Sequence, residues 1–85
     1  MKIADKMFKK LGYTRNVGSN IVISYEKSDE NFGYTKVIEF GHKRSGEHIV
    51  GSYQKGLNGD GFNNAVGLTI PEIKAIKRKF KELRW

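Results

Sequence analysis

The chain has 85 residues, 16 Lys and Arg against 9 Asp and Glu, a net charge of +7 and no cysteine. That length makes a single domain, residues 1–85, close to the lower size at which a core holds without staples, and the missing cysteines exclude disulfides and thiolate metal sites. No stretch approaches the ~20 apolar residues of a membrane-spanning helix, and Met1-Lys2-Ile3-Ala4-Asp5-Lys6 puts charges where a signal peptide needs an apolar run, so a cytoplasmic chain without membrane contact is expected.

Residues 3–11 read as a short helix, with Ile3, Ala4, Met7, Phe8 and Leu11 on one face and Lys2, Lys6, Lys9 and Lys10 opposite. Gly12 suits the left-handed position that ends such a helix, which makes Tyr13 the residue that packs back on Phe8. Tyr13-Thr14-Arg15 reads as a brief edge strand, and Asn16 to Asn20 as a turn. Ile21 to Lys27 alternates, with Ile21, Ile23 and Tyr25 on one side; Ser28 to Gly33 breaks it, and Tyr34 to Gly41 forms the next strand, Ile38 and Phe40 on one face and Val37 and Glu39 on the other.

Arg44-Ser45-Gly46-Glu47 proposes a tight hairpin turn. With Ser45 and Gly46 at its centre, His42 faces Ile49, Phe40 faces Gly51 and Ile38 faces Tyr53, which puts Ile49 and Tyr53 on the core face and the two histidines on opposite faces. The preceding hairpin is expected to pair Ile21 with Phe40 and Ile23 with Ile38. Lys55 to Gly67, rich in Gly and Asn, reads as a long loop.

The last segment carries the clearest start signal. Thr69 with Glu72 makes a capping box, Pro71 is tolerated in the first turn, and Leu68 with Ile73 has hydrophobic-staple spacing. Ile73, Ile76, Phe80 and Leu83 mark an apolar stripe, and Lys74, Lys77, Arg78 and Lys81 fall together beside it, with Trp85 on the same flank. The expected architecture is α+β: an N-terminal helix, a three- to four-stranded antiparallel meander and a C-terminal helix, both helices on one sheet face.

The charge is segregated. Residues 1–11 carry four lysines against Asp5, and residues 69–85 carry six bases against Glu72 and Glu82, whereas the middle balances six bases with six acids. Such an excess favours a polyanion or an acidic protein surface. Lys74, Lys77, Arg78, Lys81, Lys6, Lys9 and Lys10 are the candidate contacts to phosphates, with Arg84 and Trp85 adding stacking; a Trp85 ring folded back over the core is the competing reading.

Other chemistry is sparse. The glycine-rich loop lacks both the dinucleotide fingerprint and the P-loop lysine and hydroxyl, and its Asn58, Asp60 and Asn64 lack a calcium loop's glutamate, so no cofactor or metal is expected. Glu47 beside His48 is the one acid/base pair a small nuclease or hydrolase would need, and nothing else completes such a site, which favours a binding protein over an enzyme. An interaction module using the sheet face or the loop Lys55 to Gly67 is the alternative.

Ala4 to Tyr13, Ile23 to Lys27, Lys36 to Phe40, and Leu68 to Ile76 with the closing Glu82-Leu83-Arg84-Trp85 resemble small hypothetical proteins of phages and prophages of Gram-positive bacteria. The resemblance spans most of the chain outside the glycine-rich loop, and here the last helix is more basic. It implies an accessory role during infection, acting as a monomer or weak dimer on a nucleic acid or a nucleic-acid-handling host complex, and extends to blocking a bacterial defence such as a CRISPR nuclease.

Overall fold

The Thr69 hydroxyl accepts the Glu72 N–H at 3.3 Å and the Glu72 carboxylate accepts the Thr69 N–H at 2.8 Å, so both ends of the capping box close and α2 runs Ile70–Leu83. The first helix, α1 (Ile3–Lys10), ends as its glycine requires: Gly12 stands at φ +92°, its N–H meets the Lys9 carbonyl at 3.0 Å, and the Tyr13 N–H meets the Phe8 carbonyl at 3.0 Å. Closing the turn this way brings the Tyr13 ring edge-on to Phe8 at 5.9 Å. The computed structural model describes residues 2–16, 23–31, 33–56 and 64–85, and for 64–65 the backbone.

Between the helices lies an antiparallel sheet whose strands follow the chain in order, β1 (Thr14–Asn16), β2 (Ile23–Asp29), β3 (Tyr34–His42), β4 (His48–Gly56) and a two-residue β5 (Asn64–Ala65). The α+β meander is as expected, with β5 as a short addition inside the stretch read as loop. Ile21, Val22, the turn at 17–20 and the loop segment 57–63 lie outside the described residues.

Register differs from expectation in both hairpins, with unequal consequences. Ile23 pairs with Phe40 and Tyr25 with Ile38, a two-residue shift that keeps the same side chains inward. In the second hairpin the shift is one residue: Phe40 pairs with Val50, Glu39 with Gly51, Val37 with Tyr53 and His42 with His48. The cause is Gly46. At φ +89° it closes a three-residue loop, in which Lys43 N–H bonds the Glu47 carbonyl and Gly46 N–H the Lys43 carbonyl, both at 2.8 Å. The extra residue turns β4 over, so Val50 joins the core face while Ile49 and Tyr53 leave it, and the two histidines become direct cross-strand neighbours on one face.

The core gathers Phe8, Tyr13, Tyr25, Ile38, Phe40, Ala75 and Ile76 between the helix pair and the sheet. Phe8 and Tyr25 stack at 3.9 Å, and Phe40 meets Phe8 and Phe80 edge-on at 6.2 and 5.7 Å. On the far sheet face Val37 is also buried, within a row in which Glu26 and Tyr53 flank it; Lys55 reaches Glu26 at 2.8 Å and the Tyr53 hydroxyl donates to Glu39 at 2.9 Å.

The inward stripe of α2 is rotated from the one expected. Glu72, Ala75, Ile76 and Lys79 are buried, whereas Ile73 is 45% exposed. Two buried charged residues therefore occupy stripe positions, and the reason is that each meets its counter-charge inside the fold.

Candidate nucleic-acid interface

All three acids of the helical segments turn inward. Glu72, 2% exposed, accepts Lys36 Nζ at 2.8 Å and the Tyr13 hydroxyl while still closing its capping box. Burial alone pushes its carboxyl up, and the hydrogen bonds from Lys36, Tyr13 and the Thr69 N–H overcome this, bringing it down to about 2. Asp5 accepts the Tyr25 hydroxyl at 2.5 Å, faces Lys79 Nζ at 3.6 Å and holds Arg15 at 3.3 Å. Its carboxyl is lowered as well: burial pushes it up, but Tyr25, Lys79 and Arg15 outweigh burial. Burial, then the neighbouring carboxylates, drive both phenols, Tyr13 and Tyr25, well above the usual tyrosine range. Glu82 accepts the Ala4 N–H at 2.9 Å, satisfying a free donor at the start of α1, and holds Arg78 at 3.3 Å.

The Glu82–Ala4 and Asp5–Lys79 links set α1 and α2 antiparallel, and among the described residues the charged side chains left on their outer surface are cations. Lys2, Lys6, Lys9 and Lys10 lie on the side of α1 away from Ala4 and Phe8; Lys74, Lys77 and Lys81 lie on the side of α2 away from Glu72, Ile76 and Lys79. All seven are exposed, and among the described residues none has a carboxylate within ion-pair distance. At one end the two helices join: Lys10 and Lys74 line a shallow apolar groove with Met7, Leu11 and Pro71.

Of the expected contacts, Lys6, Lys9, Lys10, Lys74, Lys77 and Lys81 thus share one surface. Arg78 stands at its edge, half-buried and engaged by Glu82. Arg84 is exposed but serves the chain turn, at φ 58°. Trp85 departs from the flank expected for it. It folds back so that its ring stacks on His48 at 4.0 Å and 9° and meets the edge of Phe40 at 6.4 Å, the core-capping alternative.

Sequence reasoning passed over Lys79 and Lys36. Position 79 lies three residues after Ile76 and four before Leu83, so the apolar period already included it; position 36 shares strand parity with Ile38 and Phe40. Both signals were present, and the charge of the side chain masked them.

His42 and His48 stand opposite one another, but no group of three or more metal-ligating side chains gathers among the described residues. No described helix is long and apolar enough to cross a membrane. The chain matches no protein-family model, no curated protein and no solved structure.

Proposed function

We propose that this protein binds nucleic acid through the phosphate backbone, using the outer surface of the α1–α2 pair. The observation that supports the reading is the sorting of charge: every acid on the helices is drawn into the interior or the interhelical seam, and seven lysines are left outside with no carboxylate at ion-pair distance among the described residues. A surface built this way holds a positive potential that local carboxylates do not cancel. Lysine is a flexible point charge suited to phosphate oxygens, and the face offers no Asn or Gln to read base edges, so binding is expected to be indifferent to sequence.

Fluorescence anisotropy with a short labelled duplex tests the reading. If five to seven lysines each neutralise one phosphate, log K falls against log salt with a slope of about −4 to −6. The triple variant Lys74→Gln, Lys77→Gln, Lys81→Gln is expected to flatten that slope by about 2 to 3 and to keep the native circular dichroism. A flat salt response, or a triple variant that binds as tightly as the parent, counts decisively against it. Retention of an acidic protein partner with no affinity for nucleic acid would replace the reading with the other polyanion class.

A further inference from the structure

Between α1 and edge strand β1 a cavity of ≈ 320 Å³ opens, lined by Asp5, Lys9, Tyr13, Thr14, Arg15 and Tyr25. That volume falls at the lower end of small-molecule sites, and four of its six lining residues, Asp5, Lys9, Thr14 and Arg15, are polar or charged. Its charged groups are unequally occupied. The Asp5 carboxylate is already engaged, one oxygen by the Tyr25 hydroxyl at 2.5 Å and the other by Arg15 Nη1 at 3.3 Å, with Lys79 Nζ behind at 3.6 Å. Asp5 therefore acts as an orienting clamp on Arg15. One guanidinium nitrogen is spent on that clamp, and the other N–H groups have no partner carboxylate among the described residues; neither has the Lys9 ammonium at the same rim.

The cavity thus offers cationic donors at its mouth and apolar surface from the stems of Lys9 and Arg15, while the Tyr13 and Tyr25 rings behind them are only 4% and 1% exposed. We infer that it is a binding site for a small phosphate-bearing anion, the chemistry of a nucleoside monophosphate, whose phosphate meets Arg15 and Lys9 while its remainder lies over their stems at the Thr14 rim. The inference stands on the cavity and not on the duplex-binding reading: Lys9 belongs to both surfaces, but Arg15 lies off the lysine surface of the helices. A free nucleotide and the phosphorylated end of a strand present this same group.

Amide NMR titration of the whole chain with AMP and with UMP is the test. Saturable shifts confined to Tyr13, Thr14, Arg15 and the Asp5 to Lys9 turn of α1 are expected. Arg15→Gln and Lys9→Gln should each weaken the binding at least tenfold, with Arg15→Lys intermediate because it keeps charge but not the planar fork. The helix-face triple variant at Lys74, Lys77 and Lys81 should leave the shifts unchanged even where duplex binding is lost, which separates the two sites. Oligonucleotides with a 5′-phosphate or a 5′-hydroxyl then divide the sources: a gain from the phosphate assigns the site to strand ends, and shifts from mononucleotides alone assign it to free nucleotide. Absence of saturable shifts with every phosphate probe, shifts centred on Lys74 to Lys81 instead, or affinity that survives both Arg15→Gln and Lys9→Gln would overturn the inference. Both substituted side chains are at the surface, so native spectral dispersion is expected in the variants and confirms that a loss is local.

Discussion

Lys79, its side chain 4% exposed, holds its ammonium 3.6 Å from Oδ1 of Asp5, joining the two helices beneath their charged surface. The two partners are not equally replaceable. Asp5→Asn strands the Lys79 ammonium in the interior and also releases Arg15, whereas Lys79→Met keeps an apolar stem of similar length and leaves Asp5 with Arg15 and Tyr25. Removing one partner of a buried pair typically costs about 3 to 5 kcal/mol because it leaves a buried charge uncompensated, a cost that Lys79→Met avoids since Asp5 keeps Arg15 and Tyr25. Urea unfolding followed by circular dichroism is expected to show Asp5→Asn losing at least 2 kcal/mol, by that same rough scale, more than Lys79→Met; equal losses would mean the pair is not the organising contact.

A second ionic link makes stability depend on acid. The Glu72 carboxyl, ordinarily near 4.5, is held at about 2 in the folded chain. Because the folded value is the depressed one, the contribution is fully present above pH 4.5 and is lost as pH falls from there towards 2. The amount is of the order of 3 kcal/mol. Denaturation midpoints measured down this range should therefore fall, and Glu72→Gln should be less stable at neutral pH and show a smaller acid-dependent fall. Asp5, lowered in the same direction, leaves part of the acid sensitivity in that variant.

Local chemistry made much of the architecture legible in advance. Thr69 with Glu72, and Gly12 with Tyr13, specify helix ends through atoms within a few residues of each other, and those ends form as read. Pairing across the sheet depends instead on where one glycine falls in a turn. Two-residue and three-residue loops both accept Gly46, and only the backbone shows that it is the third loop residue, which puts Tyr53 and Ile49 on the face opposite to the one a two-residue loop gives them. The candidate surface was legible as a set of lysines. That their neighbouring acids would vanish inward depended on Lys36, Tyr13 and Lys79 meeting them from distant parts of the chain, which no spacing rule conveys.

The register itself is open to measurement. Val50 lies opposite Phe40 and packs on the core, whereas Ile49 is 43% exposed opposite Gly41. Truncating a partly buried valine removes apolar contact at roughly 1 kcal/mol, and truncating an exposed isoleucine on the other face removes little. Val50→Ala should lower the urea midpoint and Ile49→Ala should leave it nearly unchanged. A reversed order would restore the one-residue alternative pairing.

Both helices end with the same backbone pattern, but only one uses glycine. In α2 the Arg84 N–H bonds the Lys81 carbonyl at 3.2 Å and the Trp85 N–H bonds the Phe80 carbonyl at 3.0 Å, which repeats at Arg84 and Trp85 what Gly12 and Tyr13 do after α1. The aromatic that follows again returns to the helix, Trp85 lying 6.1 Å from Phe80 as Tyr13 lies 5.9 Å from Phe8. Arg84 adopts φ 58°, a conformation that costs an L residue with a Cβ roughly 1 to 2 kcal/mol. Arg84→Gly relieves that strain and adds backbone freedom to the unfolded chain, for a net gain of about 0.5 to 1 kcal/mol, or a rise of a few degrees in Tm. Trp85→Ala should do the opposite, since it removes the ring that covers Phe40, Phe80 and His48. Differential scanning calorimetry of the two variants tests both directions, and a destabilised Arg84→Gly would show that the arginine side chain, and not the turn, is what position 84 contributes. Duplex affinity read on the same samples separates the roles further: loss of Trp85 should leave the salt slope intact, because its ring lies against His48, Phe40 and Phe80 and carries no charge.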